Sequence, residues 1–260
     1  MRFWAPFLLA SLTLHGQETQ TPKFQPNWPC TGQERSFDPV YAKTSEATGG
    51  QVFLFDRSEA GRTGVLIIGS TRHPETILRS AGKLETQYVD IRVPVDSTIE
   101  SLFVSVSLQC MQGITLYDPQ SRAADPVYLK GEDNWFRAGR IATLPRPQAG
   151  VWTLRLMGSG AYFVSIKAKT RIGLHNVKFG AADRTLSLWL SSPSPAAQFQ
   201  LVNVLGEPIQ ALVLEIDAAA AGHWIGSVIP PLKEFRVAVT GTDEQGFSFL
   251  RTDPRLFEAR

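Results

Sequence analysis

Between Pro145 and Ala168 the chain carries its most restrictive pattern. Pro145, Pro147 and Gly150 stop any regular structure before them, and then Trp152, Leu154 and Leu156 alternate with Val151, Thr153 and Arg155. Successive side chains on a strand point to opposite faces, so this period of two describes a half-buried strand. Gly158-Ser159-Gly160 offers the positive φ of a tight reversal, after which Tyr162, Val164 and Ile166 alternate with Phe163, Ser165 and Lys167. The spacing predicts a β-hairpin with Trp152 on its core face, and a buried ring of that size can anchor a whole sandwich.

The same alternation recurs on both sides of this stretch. Val89, Ile91, Val93 and Val95 share one face, Leu102, Val104, Val106 and Leu108 another, and Gly113–Tyr117 and Ile141–Leu144 add further strands. Beyond Ile172, strand patterns cover 177–179, 186–190, 199–202, 211–216, 222–225, 235–240 and 247–250, with Gly, Asp and Asn turn residues between them. Short strands at this spacing predict an all-β chain of two tandem antiparallel β-sandwiches, spanning 85–170 and 171–260. Trp152, Trp189 and Trp224 all fall in strand patterns and read as packing. Ala218–Ala221 reads as a loop, being too short a run of small residues for a helix.

The stretch 37–84 reads as a short α/β segment ahead of the sandwiches. Asp38-Pro39 can cap and start a helix running to about Ala47, ended by Gly49-Gly50. Gln51–Phe55 then alternates as a strand, Gly64–Gly69 is a second strand candidate, and Pro74–Leu78 reads as one helical turn. Upstream, Arg2 followed by the apolar run Phe3–Leu14 reads as a secretory signal cleaved after Gly16, because the run is too short to span a bilayer. Residues 17–36, with Pro22, Pro26 and Pro29, read as an extended linker. The mature protein is therefore expected in a secreted, periplasmic or extracellular setting, with no membrane span. There its two cysteines, Cys30 and Cys110, are a possible disulfide. A net charge of +2 with scattered basic residues argues against nucleic acid as a partner.

The helix, Gly-Gly and strand pattern Val40–Phe53 resembles the end of a von Willebrand factor A domain. The D-x-S-x-S loop by which such domains hold a cation is not in this sequence, so that metal chemistry does not transfer. Taken with Val93-Pro94-Val95-Asp96, Ala149-Gly150-Val151-Trp152-Thr153 and Ile229-Pro230-Pro231 leading into Phe235–Gly241, the order of parts is similar to one known region. It is the region after the A domain in hemicentins and in the von Willebrand A domain-containing protein 7 family. That resemblance implies a galactose-binding-like first sandwich, an immunoglobulin-like second one, and a role in extracellular adhesion or matrix interaction.

Reaction chemistry is not apparent. His73, His175 and His223 stand in no H-E-x-x-H pattern, no G-x-S-x-G elbow occurs, and Glu132-Asp133 are adjacent carboxylates that an extended chain sends to opposite faces. No enzyme activity and no cofactor are expected. The candidate ligand-binding residues are Glu132, Asp133, Asn134, Trp135 and Phe136, where aromatic rings beside amide and carboxylate acceptors could stack on and hydrogen-bond a sugar. With Asp125, the polar members of that loop also supply oxygen ligands of the kind calcium takes, although a solvated loop explains them as well. The expected function is non-catalytic adhesion or ligand binding, with a glycan or protein partner at the cell surface. The alternatives are an accessory domain of a secreted hydrolase and a structural envelope component without a discrete ligand.

Overall fold

The computed structural model describes residues 38–85, 88–124, 133–180, 182–192 and 196–258, with Asp133 by its backbone alone. The expected signal 1–16, the linker 17–36, Cys30, Asp125 and Glu132 lie outside the described residues, as does the side chain of Asp133.

Two helices open the described chain, α1 (Pro39–Thr48) and α2 (Gly64–Arg72), with a 3-10 helix at Arg57–Arg62 between them. The start of α1 is the expected one. The Asp38 carboxylate accepts from the Val40 N–H at 2.9 Å, and Pro39 occupies the first turn, where a missing N–H costs nothing. Six strands follow: β1 (Glu75–Leu84), β2 (Tyr88–Val95), β3 (Ser101–Tyr117), β4 (Asp133–Phe136), β5 (Gly139–Pro145) and β6 (Gly150–Lys169). They form one antiparallel sheet in the order β1-β6-β3-β5-β4, with β2 also paired to β6.

The hairpin expected around Trp152 does not form. β6 runs straight through Gly158-Ser159-Gly160 as one strand of 20 residues. Its first half pairs with β2, placing Trp152 opposite Val93, and its second half pairs with β1, placing Val164 opposite Ser80. β3 accompanies both halves, with register shifts between Leu108 and Cys110 and between Met111 and Gly113. The positive φ values of Gly158 (144°) and Gly160 (85°) therefore serve a bulged bend inside a continuing ladder. Because β3 is long enough to pair with both halves, a reversal would surrender backbone hydrogen bonds that the straight path keeps. Bending doubles the sheet over, so Trp152, Leu154 and Leu156 from one half meet Val104, Val106, Val164 and Ile166 from the other in a single apolar cluster.

Local expectations also fail in the segment before β1. Gln51–Phe55 is irregular, because its Leu54 N–H is taken by the Ser107 hydroxyl at 2.8 Å instead of by a neighbouring strand. Gly64–Gly69 lies in α2 although Val65-Leu66-Ile67-Ile68 suits a strand by composition. Here tertiary packing overrides propensity: Val65 and Leu66 pack against the cluster of Phe103, Phe136 and Ile141. Pro74–Leu78, expected as a helical turn, instead leads into β1, whose partner strand β6 could not be read locally.

The second sandwich follows the sequence except at 211–216, expected as one strand, which breaks at Val213-Leu214 into two strands on different sheets. Its strands are β7 (Gly173–Gly180), β8 (Thr185–Ser191), β9 (Gln198–Val202), β10 (Pro208–Leu212), β11 (Glu215–Ile216), β12 (His223–Ser227), β13 (Arg236–Thr242) and β14 (Ser248–Thr252). They form two four-stranded sheets, β10-β9-β13-β14 and β11-β12-β8-β7. Leu186, Leu188 and Leu190 face Phe199, Leu201, Val237 and Phe249 across the interior. The all-β architecture of antiparallel sheets is thus as expected. Trp189 is a correction: the inward leucines of β8 send it outward, where it is 39% exposed and stacks on His223 with ring centroids 4.8 Å apart.

Buried charge joins the two sandwiches. Arg251 on β14 and Asp96, just after β2, form a fully buried ion pair at 2.7 Å. Glu46 on α1 accepts from Arg79 of β1 at 2.7 Å and is also ion-paired with Arg236 of β13. Burial pushes both of these guanidinium groups down to about 10, which leaves them charged at neutral pH. A helix from the segment before the sandwiches therefore supplies the carboxylate that ties one to the other.

Candidate ligand-binding cleft

The alternation that buries Leu102, Val104 and Val106 puts Ser101 and Phe103 on the opposite face of β3. A phenylalanine on that face needs a cover, and α2 provides it. Gly69 lies against the Phe103 ring so closely that a Cβ there would come within 1.9 Å of Cε2. A cleft of about 600 Å³ opens to solvent between α2, along its length from Val65 to Arg72, and strands β3, β4, β5 and the end of β6. Val65, Ile68, Phe103, Ile141 and Pro145 form its apolar wall. Arg72, His73, Ser101, Asn134, Thr143 and Lys169 bring polar groups to it.

His73 ends α2 and is held from two sides. Its Nδ1 lies 2.6 Å from the Gly69 carbonyl, its Nε2 lies 2.8 Å from the Ser101 hydroxyl, and its ring stacks on Phe103 with centroids 5.5 Å apart. A proton on Nδ1, donated to the carbonyl, leaves Nε2 to accept from Ser101. Histidine and serine are 28 positions apart, and no motif announces their contact. Replacing Gly69 with alanine should force α2 off Phe103 and cost about 1–3 kcal/mol through overpacking. A lower melting temperature together with a changed His73 imidazole NMR signal would report both effects.

At the mouth, Lys169 is ion-paired with Glu100 at 2.6 Å. Lys167 points under α2, donating to the Ser70 carbonyl and hydroxyl, and burial lowers its pKa. Arg72 is exposed, and no acidic partner for it is seen among the described residues. Among the described residues lining the cleft, none is a carboxylate.

Of the residues singled out from the sequence, Asn134 reaches the cleft. Trp135 and Phe136 are neighbours on β4 and so occupy opposite faces. Trp135 packs against the main core, with the Arg140 guanidinium 4.5 Å over its ring. Phe136 is buried under Arg62 and meets Phe53 edge-on at 5.1 Å. The two rings therefore do not make one stacking surface. Cys110 is buried on β3 and no cysteine among the described residues is free, while Cys30 lies outside them. Among the described residues, no three His, Cys, Asp or Glu side chains gather as a metal site, and no helix is long and apolar enough to cross a membrane.

Fold and site together define an all-β protein of antiparallel sandwiches, with a mixed polar and apolar cleft between a short helix and one sheet face. The chain is similar to hemicentin-1 from Mus musculus, 23% identical over 247 aligned residues that cover 85% of this chain. Hemicentin-1 from Homo sapiens is 22% identical over the same length and coverage. The chain spans about 4% of the length of either relative. The resemblance to hemicentins expected from the order of its motifs is thus found, as a distant one. No protein-family model matches. Among solved structures, it is similar to Bacillus licheniformis lipase BlEst2 in its propeptide form (TM-score 0.35, 11% identity, 68% of this chain and 40% of that one). A second is a beta-1,2-glucanase from Parabacteroides distasonis (TM-score 0.21, 13% identity, 64% and 29%). Likeness at that level carries no argument about activity.

Proposed function

We propose that this chain is a non-catalytic, extracellular ligand-binding module of adhesion type, which engages a glycan partner through the cleft beside α2. The observation that carries ligand binding is the cleft itself: a concavity of about 600 Å³ with an apolar wall and a few converging polar groups has the size and make-up of a small-ligand site. The extracellular setting is supported by the distant similarity to hemicentin-1 and by the apolar N-terminal run of the sequence. Glycan-array binding with the secreted protein and its Thr143→Trp variant tests the reading. Thr143 sits on β5 at the cleft, so the added ring should fill it and abolish binding while the melting temperature holds. Binding that survives in the variant would move recognition elsewhere on the molecule, and silence across sugars would count against a glycan partner.

One observation favours a second reading. The hydroxyl of Ser101 within 2.8 Å of His73 Nε2 is the beginning of a hydrolase dyad. Against it, Nδ1 rests on a main-chain carbonyl where a triad sets a carboxylate, and Ser101 sits inside a ladder paired to Pro145 and Lys169 instead of on a strand-to-helix elbow. A fluorophosphonate probe should leave Ser101 unlabelled; labelling that Ser101→Ala removes would make the protein a hydrolase.

A further inference from the structure

Resting on the cleft as the binding site, we infer that its ligand is an acidic sugar, a saccharide unit bearing a carboxylate, seated on Arg72. Charge sets the argument. The described lining holds two cationic side chains and no carboxylate, and the cations are unequal. Lys169 is ion-paired with Glu100 at 2.6 Å on the surface, whereas Arg72 is exposed with no acidic partner among the described residues. A guanidinium fork matches a carboxylate with two parallel hydrogen bonds, stronger than bonds to a neutral hydroxyl.

The remaining lining suits a sugar ring better than a peptide side chain. Ser101, Thr143 and Asn134 offer hydroxyl and amide groups that both donate and accept, as ring hydroxyls require. Ile68, half exposed on α2, and the neighbouring Val65 give the C–H face of a ring an apolar surface. His73 is engaged by the Gly69 carbonyl and Ser101, so it orients the Ser101 hydroxyl instead of meeting the ligand's charge. A protein partner would be expected to present a flatter patch with large aromatic anchors. Phe103, the aromatic ring that lines the cleft, is only 1% exposed, and Phe136 is buried beneath Arg62.

Titration calorimetry with a glucuronate-terminated disaccharide and its glucose-terminated counterpart tests the inference. The charged sugar should bind the unaltered protein more tightly and lose affinity as sodium chloride is raised. Arg72→Ala should weaken it by about tenfold or more, the size of one charge-assisted contact. Arg72→Lys should restore part of that loss, since it keeps the charge and gives up the fork. Arg72 is on the surface, so both variants should fold, and their melting curves check this.

The failures are separable. Equal binding of both sugars, lost in Thr143→Trp and indifferent to Arg72→Ala, overturns the acidic ligand while leaving the cleft as the site. Binding unaffected by Thr143→Trp overturns the cleft itself. Preference for a glutamate-ended peptide over the glucuronate disaccharide overturns the sugar class, and absence of binding to either saccharide overturns the inference outright.

Discussion

Trp152→Ala should cost about 3–5 kcal/mol of stability, seen as a fall in the denaturant midpoint with little change in slope. The ring is 1% exposed, and its indole N–H donates to the Gln148 carbonyl at 2.8 Å. It lies on the half of β6 that the bend folds over, so removing it opens a cavity between two halves of one sheet. Strands β3 and β6 run through both halves and cannot move independently to close such a space. Trp189→Ala is the control. Its ring is 39% exposed and stacks on the half-buried His223 outside the core, so it should cost much less. Equal losses from the two substitutions would refute a core place for Trp152 and an outward one for Trp189.

Removing Arg251 should have a comparable effect for a different reason. Its guanidinium is fully buried, donating to Asp96 at 2.7 Å, to the Ile172 and Leu250 carbonyls at 2.7 and 2.8 Å, and to the Thr170 hydroxyl at 2.9 Å. Arg251→Met keeps much of the volume but leaves the Asp96 carboxylate buried without its counter-charge, a loss of about 3–5 kcal/mol. Replacing Asp96 with leucine as well should recover part of this, because the larger share of the cost is the stranded charge and not the lost attraction. A double-mutant cycle by urea unfolding measures that recovery. Because the pair spans the two sandwiches, the single variant should also broaden the transition or split it in two. An additive cycle with a single sharp transition would mean that the pair does not couple the sandwiches.

Strand positions and faces were legible in the sequence wherever one rule acted without a rival. Leu186, Leu188 and Leu190 alternate with polar or outward residues, and β8 buries them as that period requires. The outward place of Trp189 was in the same pattern, yet its size invites a core assignment that the period forbids. Asp38 and Pro39 announce the start of α1 through groups that act within two residues of it.

The cleft was legible in part. Asn134 stands in a stretch of polar and aromatic residues that points to ligand contact, and it does line the cleft. The missed signal was Phe103, an aromatic on the face of β3 that otherwise carries Ser101, Ser105 and Ser107, which implies a covering element. Nothing local indicated that the cover would be α2, nor that it would end by placing His73 on Ser101.

By themselves, then, local patterns determined an all-β protein, the inward faces of many of its strands, and, through Asp38 and Pro39, where α1 begins. Such rules act between near neighbours and hold whatever the rest of the molecule does. Only the tertiary structure decided that Gly158-Ser159-Gly160 bends a strand instead of reversing it, since that depends on a β3 long enough to pair with both halves. It also made a helix of Val65–Ile68, because a helix there lets Gly69 seat against Phe103. In both places the local preferences are nearly balanced or point the other way, and contacts with residues tens of positions distant supply the deciding free energy.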